Sequence, residues 1–112
     1  IANGVILIAE GANMPLTNEA QEELKGSKVI FLPGKATNAG GVAVSGFERS
    51  QNAMHIPQSR REVDDRLQGV MDEIHDSCIS KVDRVNGVLP YKVGANLYAF
   101  DKVYDATKAL FG

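Results

Sequence analysis

The chain has 112 residues, 44% of them hydrophobic and 23% charged, which fits one small globular domain. A formal net charge of −2 gives no electrostatic reason to expect nucleic acid or an anionic membrane as a partner. No apolar run approaches the length that crosses a bilayer, so a membrane-spanning role is not expected either. The single cysteine, Cys78, cannot form an internal disulfide and favours a reducing compartment, which predicts a cytoplasmic location.

The first three predicted elements form a β-α-β unit. The continuous apolar runs GVILIA (residues 4–9) and KVIFL (residues 28–32) are too short for helices and are typical of parallel strands buried on both faces. Between them, TNEAQEELKG has Thr17 or Asn18 as a helix N-cap and Gly26 as a stop signal. The pattern therefore predicts a short helix between two parallel strands, with a right-handed crossover.

The next predicted helix, from Asn38 to about Met54, runs against its local propensity. It contains three glycines, and each costs roughly 1 kcal/mol relative to alanine in a helix interior: Gly40, Gly41 and Gly46. Tertiary packing or a ligand that approaches the backbone has to offset that cost.

Two further helices are predicted in the second half of the chain. Ser59 and Glu62 form a capping box, and the apolar side chains that follow recur at helical spacing: Val63, Leu67, Val70, Ile74 and Cys78. The segment RVNGVLP ends that helix. The last helix is expected from about Asn96, with the tripeptide GAN at residues 94–96 as its cap and with an apolar face: Leu97, Phe100, Val103, Tyr104 and Leu110.

These elements place the chain in the α/β class. Two strands do not form a sheet that is stable in water, and strands buried on two faces need further strands and helices around them. We therefore expect the missing strands to lie N-terminal to Ile1, so that the chain is part of something longer. A self-contained α/β mini-domain, or a dimer that completes the sheet, is the alternative.

The candidate binding residues follow the two strands. In open parallel sheets, ligands bind outside the carboxyl ends of the strands. EGANMP (residues 10–15) and PGKATNAGG (residues 33–41) leave the strands at that edge, so Asn13 and Asn38 should converge there. Two side-chain amides could recognise a primary amide or a sugar hydroxyl. Taken singly, such residues are more often helix caps and turn residues.

Two residues of the following helix extend this candidate site. Val42 and Ser45, three positions apart, share one face of its first turns and offer an apolar wall and a hydroxyl donor. The N–H groups at the helix start favour an anion. The simpler interpretation of Ser45 is that a small residue allows close helix packing.

Other residues are weaker candidates for a functional site. His75 and Cys78 could supply two metal ligands from one helix, but a zinc site needs three or four and the sequence has no second cluster. No metal site is therefore predicted. Lys35 could meet a phosphate or carboxylate, although a lone lysine in a loop is usually solvated.

At these residues the sequence resembles a known family. The segments AEGANMP, PGKATNAGGVAVSG, SQN, EVDDRL and VGAN followed by AFDKV are similar to the C-terminal part of glutamate dehydrogenase, in the same order and with matching spacing. GANMP and PGKA further resemble its NADP-type hexameric branch. The family interconverts glutamate with 2-oxoglutarate and ammonia, using NADP or NAD. The sequence departs from the family's usual pattern at Gln58, Tyr98 and Ala99.

The resemblance implies a fold and a division of the chain. Residues 1–56 would end a Rossmann-like dinucleotide-binding domain, and residues 57–112 would be helices that return toward the substrate domain. The glycine-rich fingerprint of the first β-α turn has no counterpart here. The resemblance also places the family's catalytic lysine and aspartate in a preceding domain, so no catalytic residue is expected in this chain.

The resemblance also assigns roles to the candidate residues. Asn13 would lie near the nicotinamide ribose, and Asn38 would contact the nicotinamide amide. Val42 and Ser45 would line the substrate pocket, with Ser45 donating to the side-chain carboxylate of glutamate. The expected partners are the substrates, the rest of the polypeptide and identical subunits in a hexamer. The competing hypotheses are a non-catalytic nucleotide-binding module and an assembly module of the same fold.

Overall fold

Two short parallel strands and five helices make up most of the chain, and the computed structural model describes all of residues 1–112. In chain order the elements are β1 (Leu7–Ala9), α1 (Asn18–Lys25), β2 (Ile30–Leu32), α2 (Gly34–Thr37), α3 (Ala39–Met54), α4 (Arg60–Ile79) and α5 (Tyr91–Phe111). The predicted α/β class is confirmed. No helix combines the length and the apolar character that a membrane span needs.

The two strands pair in parallel, as predicted, with Leu7 opposite Ile30 and Ala9 opposite Leu32. Both are shorter than the apolar runs that predicted them. Within residues 1–112 the strands are not buried on both faces, since Ile6 is 80% exposed and Leu7 is 46% exposed; the expected burial depends on further strands and helices beside them. The physical reason is that the sheet has only two strands, which leaves the apolar side chains before and within β1 without a covering layer.

The most buried side chains join α2, α4 and α5 rather than the two strands. Ala36, Cys78, Tyr91 and Ala95 form this cluster, and Leu32 of β2 packs against it. Gly94 lets α5 approach α4 closely, because an added Cβ there would lie 2.1 Å from the main-chain oxygen of Cys78. The core therefore fixes the C-terminal helices against the end of β2.

Helix α5 begins at Tyr91, five residues before the predicted start. Pro90 occupies the N-cap position, and Gly94 and Asn96 lie inside the helix, so the expectation that GAN caps it is wrong. Packing explains the difference, because Gly94 and Ala95 are buried against α4 and this contact outweighs the low helix propensity of glycine.

Helix α3 forms as predicted, and its glycines face two different surroundings. A Cβ added at Gly40 would lie 3.0 Å from Cδ1 of Leu67 in α4, so this glycine permits helix packing. A Cβ added at Gly41 or Gly46 would meet no atom within 4 Å. Helix packing thus explains Gly40, whereas the surface of α3 at Gly41 and Gly46 is open.

The predicted starts of α1 and α4 are confirmed in detail. The Thr17 hydroxyl accepts a hydrogen bond from the N–H of Ala20 at 3.3 Å. At α4, the Glu62 N–H donates to the Ser59 hydroxyl at 3.3 Å, while the Ser59 N–H donates to Oε2 of Glu62 at 2.7 Å. Hydrogen bonds from the Ser59 hydroxyl and N–H lower the pKa of Glu62.

We expect Ser59→Ala to lower the free energy of unfolding of the protein by about 1 kcal/mol, because it leaves an N-terminal N–H of α4 without its cap. The measurement is the midpoint of denaturant unfolding. The matched control is Glu73→Ala, an exposed position of the same helix, which should shift the midpoint little. Since the pKa of Glu62 is lowered, the share of the capping contribution that comes from its carboxylate should be complete above the ordinary pKa of glutamate and be lost on acidification. A Ser59→Ala midpoint equal to that of the control would contradict the account.

Candidate functional site

The two segments that follow the strands lie side by side at the carboxyl ends of β1 and β2. Residues 10–15 form an irregular loop, which we call loop 1. The second segment, expected to be a loop, instead contains the one-turn helix α2 before α3 begins. This segment lies close against loop 1 because Gly34 has no side chain: an added Cβ there would lie 2.4 Å from the Ala12 oxygen.

The predicted convergence of the two asparagines is confirmed. Nδ2 of Asn38 donates a hydrogen bond to Oδ1 of Asn13 at 2.7 Å. Asn38 stands at the N-cap position of α3, but its side chain makes no capping bond. The ordinary N-cap interpretation therefore does not explain this side chain. The side-chain NH2 of Asn13 and Oδ1 of Asn38 make no hydrogen bond within the chain, so the pair presents donors and an acceptor to a ligand.

Loop 1 makes an unusual turn immediately after Asn13. Met14 has a φ of 50°, in the left-handed region that non-glycine residues rarely adopt. The residue before a proline normally takes an extended conformation, which makes this turn at Met14 still less common. Its side chain is 85% exposed and contributes no burial to offset the cost. Backbone strain of this kind is concentrated at ligand-binding loops.

Val42 and Ser45 lie together on the open face of α3, as predicted. Val42 is 79% exposed, and Ser45 is also exposed. The Ser45 hydroxyl donates to the main-chain oxygen of Gly41 at 3.0 Å, within its own helix. No other element of residues 1–112 covers this face, so Ser45 is not in a close helix contact within them. The face thus offers an apolar surface and a hydroxyl that can rotate toward a ligand.

The remaining candidates lie elsewhere. Nζ of Lys35 donates to Oδ1 of Asn96 and so links α2 to α5. The His75 ring stacks on Tyr91 with their centres 5.6 Å apart. Burial raises the pKa of the Cys78 thiol, and burial raises the pKa of Tyr91 to about 12. Both groups are therefore protonated at neutral pH, and neither is prepared to act as a nucleophile or a base.

Sequence reasoning missed two residues that hold the site together. Glu10 is only 5% exposed, and its Oε2 accepts from the Gly34 N–H at 2.8 Å. The hydroxyl of Thr37 donates to the main-chain oxygen of Glu10. The one available signal was a carboxylate placed directly after an apolar strand, where a buried charge needs a partner.

A cavity of about 460 Å³ is separate from this site. It lies between the end of α1, strand β2 and residues 85–93, and its lining includes Leu24, Lys28, Phe31 and Val88. No residue of loop 1, α2 or α3 lines it, so it does not contribute to the asparagine pair.

The sequence of the chain matches a dehydrogenase family over almost its whole length. The family model described as Glutamate/Leucine/Phenylalanine/Valine dehydrogenase matches residues 1–110, and the chain belongs to this family.

The more specific similarity is to glutamate dehydrogenases. The chain is 49% identical over 111 residues to an NADP-specific glutamate dehydrogenase of Haemophilus influenzae, covering 97% of this chain and 24% of that protein. It is 45% identical over 107 residues to an NAD-specific glutamate dehydrogenase of Porphyromonas gingivalis, covering 96% of this chain and 24% of that protein. A solved glutamate dehydrogenase superposes with a TM-score of 0.89 at 42% identity, covering 99% of this chain and 25% of that one. The chain thus spans about a quarter of the length of these relatives.

Proposed function

We propose that this chain is the C-terminal segment of a glutamate dehydrogenase, which converts glutamate to 2-oxoglutarate and ammonia with NADP, or with NAD as the alternative. Residues 1–56 end a Rossmann-like dinucleotide-binding domain, and residues 57–112 return toward the substrate domain. The observation that carries the proposal is the Asn13–Asn38 pair, hydrogen-bonded at 2.7 Å at the carboxyl ends of two parallel strands.

The residues present fit the nicotinamide end of the cofactor. The free oxygen of Asn38 can accept from the primary amide of nicotinamide, and the amide of Asn13 can donate to a ribose hydroxyl. Gly41 opens the adjoining face of α3, since an added Cβ there would meet nothing within 4 Å. Relatives of both coenzyme specificities match this chain at similar identity, so both coenzymes stay within the proposal.

Val42 and Ser45 serve the substrate in this proposal. The Ser45 hydroxyl rotates away from the Gly41 oxygen and donates to the side-chain carboxylate of glutamate, and a bond to a charged acceptor is stronger than a bond to a neutral carbonyl. Val42 provides an apolar wall of the substrate pocket. Its 79% exposure leaves it free to contact a bound aliphatic chain.

The chemistry is divided between this chain and the rest of the polypeptide. The nicotinamide cofactor, when bound, supplies the hydride chemistry. The residues of this chain orient it and hold the substrate, and the catalytic lysine and aspartate of the family belong to the preceding domain. Lys35 is not their replacement, because it is bonded to Asn96 in α5.

The exposed apolar surface of α5 supports the proposed contacts with the rest of the polypeptide and with identical subunits. Seven large, exposed apolar side chains of α5 need a covering partner: Val93, Leu97, Phe100, Val103, Tyr104, Leu110 and Phe111. In this proposal the rest of the polypeptide and identical subunits of a hexamer cover these side chains. The enzyme is cytoplasmic and binds neither nucleic acid nor a membrane.

The complete polypeptide should reduce NADP or NAD in the presence of glutamate, whereas residues 1–112 alone should not. The assay is the absorbance of the reduced coenzyme, with glutamate omitted as the control. The complete polypeptide carrying Lys35→Met should retain activity within about twofold, since Lys35 contacts α5 rather than the site. Turnover by residues 1–112 alone, or loss of activity with Lys35→Met, would overturn the assignment of roles. An inactive complete polypeptide that still binds coenzyme would favour the non-catalytic module.

A further inference from the structure

Glu10 is a buried carboxylate with only one of its two oxygens hydrogen-bonded by the chain. It is 5% exposed at the end of β1, and Oε2 accepts from the Gly34 N–H at 2.8 Å. Its other oxygen, Oε1, is buried without a partner. Burial of a charged group is costly unless it is compensated, so a residue that served packing alone would be apolar here. The Glu10 carboxylate therefore has a role other than packing.

The hydrogen bonds between Glu10 and the second segment, residues 33–41, indicate this role. The Glu10 N–H donates to the Leu32 oxygen at 3.0 Å, which extends the strand ladder by one residue. The Glu10 side chain binds the N–H at the start of α2, and its main-chain oxygen accepts from the Thr37 hydroxyl at the end of α2. Both ends of this one-turn helix are thereby fixed to loop 1.

Asn38 follows Thr37 directly, and Asn13 is three residues after Glu10. Any movement of α2 along loop 1 would therefore change the separation of the two asparagines. The Thr37 hydroxyl also lies 3.3 Å from the Pro33 oxygen, inside its own turn, but only its bond to Glu10 joins the two segments. Loop 1 and α2 form one unit because of these contacts.

We propose that Glu10 and Thr37 are positioning residues that hold the Asn13–Asn38 pair in the geometry that binds the nicotinamide. This inference rests on the proposed function and adds two residues to it. In this proposal both residues act through Asn38, which follows Thr37 directly in the chain.

The test uses Thr37→Val in the complete enzyme, because Glu10→Ala also opens a cavity beside the sheet and can unfold the chain. Thr37→Val removes the hydroxyl and keeps a branched side chain. We expect the KM for coenzyme to rise about fivefold to tenfold, the effect of roughly one hydrogen bond, with kcat and the KM for glutamate changed less than about twofold. Thr37→Ser keeps the hydroxyl and should restore the coenzyme KM. Thr107→Val is the matched control, since the Thr107 hydroxyl donates to Val103 within α5.

A double-mutant cycle with Asn38→Ala separates positioning from general stability. If Thr37 acts through Asn38, Thr37→Val should raise the coenzyme KM in the native background and have no further effect in the Asn38→Ala background. Equal effects in both backgrounds, or an unchanged coenzyme KM with Thr37→Val alone, would overturn the inference while leaving the proposed function intact. A complete polypeptide without glutamate-dependent activity would instead refute the proposed function, and this inference with it.

Discussion

Replacing Ser45 with alanine in the complete enzyme is expected to lower kcat/KM for glutamate about tenfold to a hundredfold. The proposed bond from the Ser45 hydroxyl to the substrate carboxylate is charge-assisted and contributes roughly 1.5–3 kcal/mol, and each 1.36 kcal/mol corresponds to a factor of ten in rate. The hydroxyl must first leave the Gly41 oxygen, to which it donates at 3.0 Å. The net loss on substitution is therefore smaller than the full strength of the new bond.

A second substrate and two further variants separate recognition from packing. Norvaline lacks the side-chain carboxylate, so Ser45→Ala should reduce its kcat/KM much less than that of glutamate. Ser50→Ala is the matched control, because the Ser50 hydroxyl donates to the Gly46 oxygen at 3.1 Å in the same helix. Val42→Ala should alter the preference between side chains more than the recognition of the carboxylate. Equal losses for glutamate and norvaline with Ser45→Ala would remove Ser45 from the substrate site.

Asn38→Ala in the complete enzyme should weaken coenzyme binding by about 1–3 kcal/mol, roughly fivefold to 150-fold in Kd. The substitution removes the acceptor proposed for the nicotinamide amide. It also deprives Asn13 of its hydrogen bond at 2.7 Å, so the loss includes some disorder of loop 1.

The effect of Asn38→Ala should appear in the Kd and the KM for coenzyme, measured by titration and by steady-state kinetics. Asn52→Ala, an exposed position near the other end of α3, is the control and should leave both unchanged. Unaltered coenzyme binding in Asn38→Ala would exclude this side chain from the nicotinamide site.

Much of the arrangement could be predicted from local sequence. The two apolar runs and the helix between them require only short-range patterns, and a parallel pair necessarily places residues 10–15 and 33–41 at one edge. The convergence of Asn13 and Asn38 follows from that topology. The capping box at Ser59 is equally local, because its two hydrogen bonds depend on residues three positions apart.

The errors arise where tertiary contacts outweigh local preference. Helix α5 starts at Tyr91 because Gly94 is buried against the Cys78 oxygen, a contact that residue spacing does not reveal. Helix α2 depends on Gly34 and Thr37 meeting loop 1 across more than twenty positions of sequence. Glu10 was missed for the same reason, since its partner is the main-chain N–H of Gly34 and not a complementary side chain.

The most direct test of the account is the structure of the complete protein with coenzyme and glutamate bound. The nicotinamide amide should lie within hydrogen-bonding distance of the Asn38 side chain, and the glutamate side-chain carboxylate should lie within reach of the Ser45 hydroxyl. A nicotinamide bound away from loop 1 and α3, with the Asn13–Asn38 pair making no contact to it, would contradict the account.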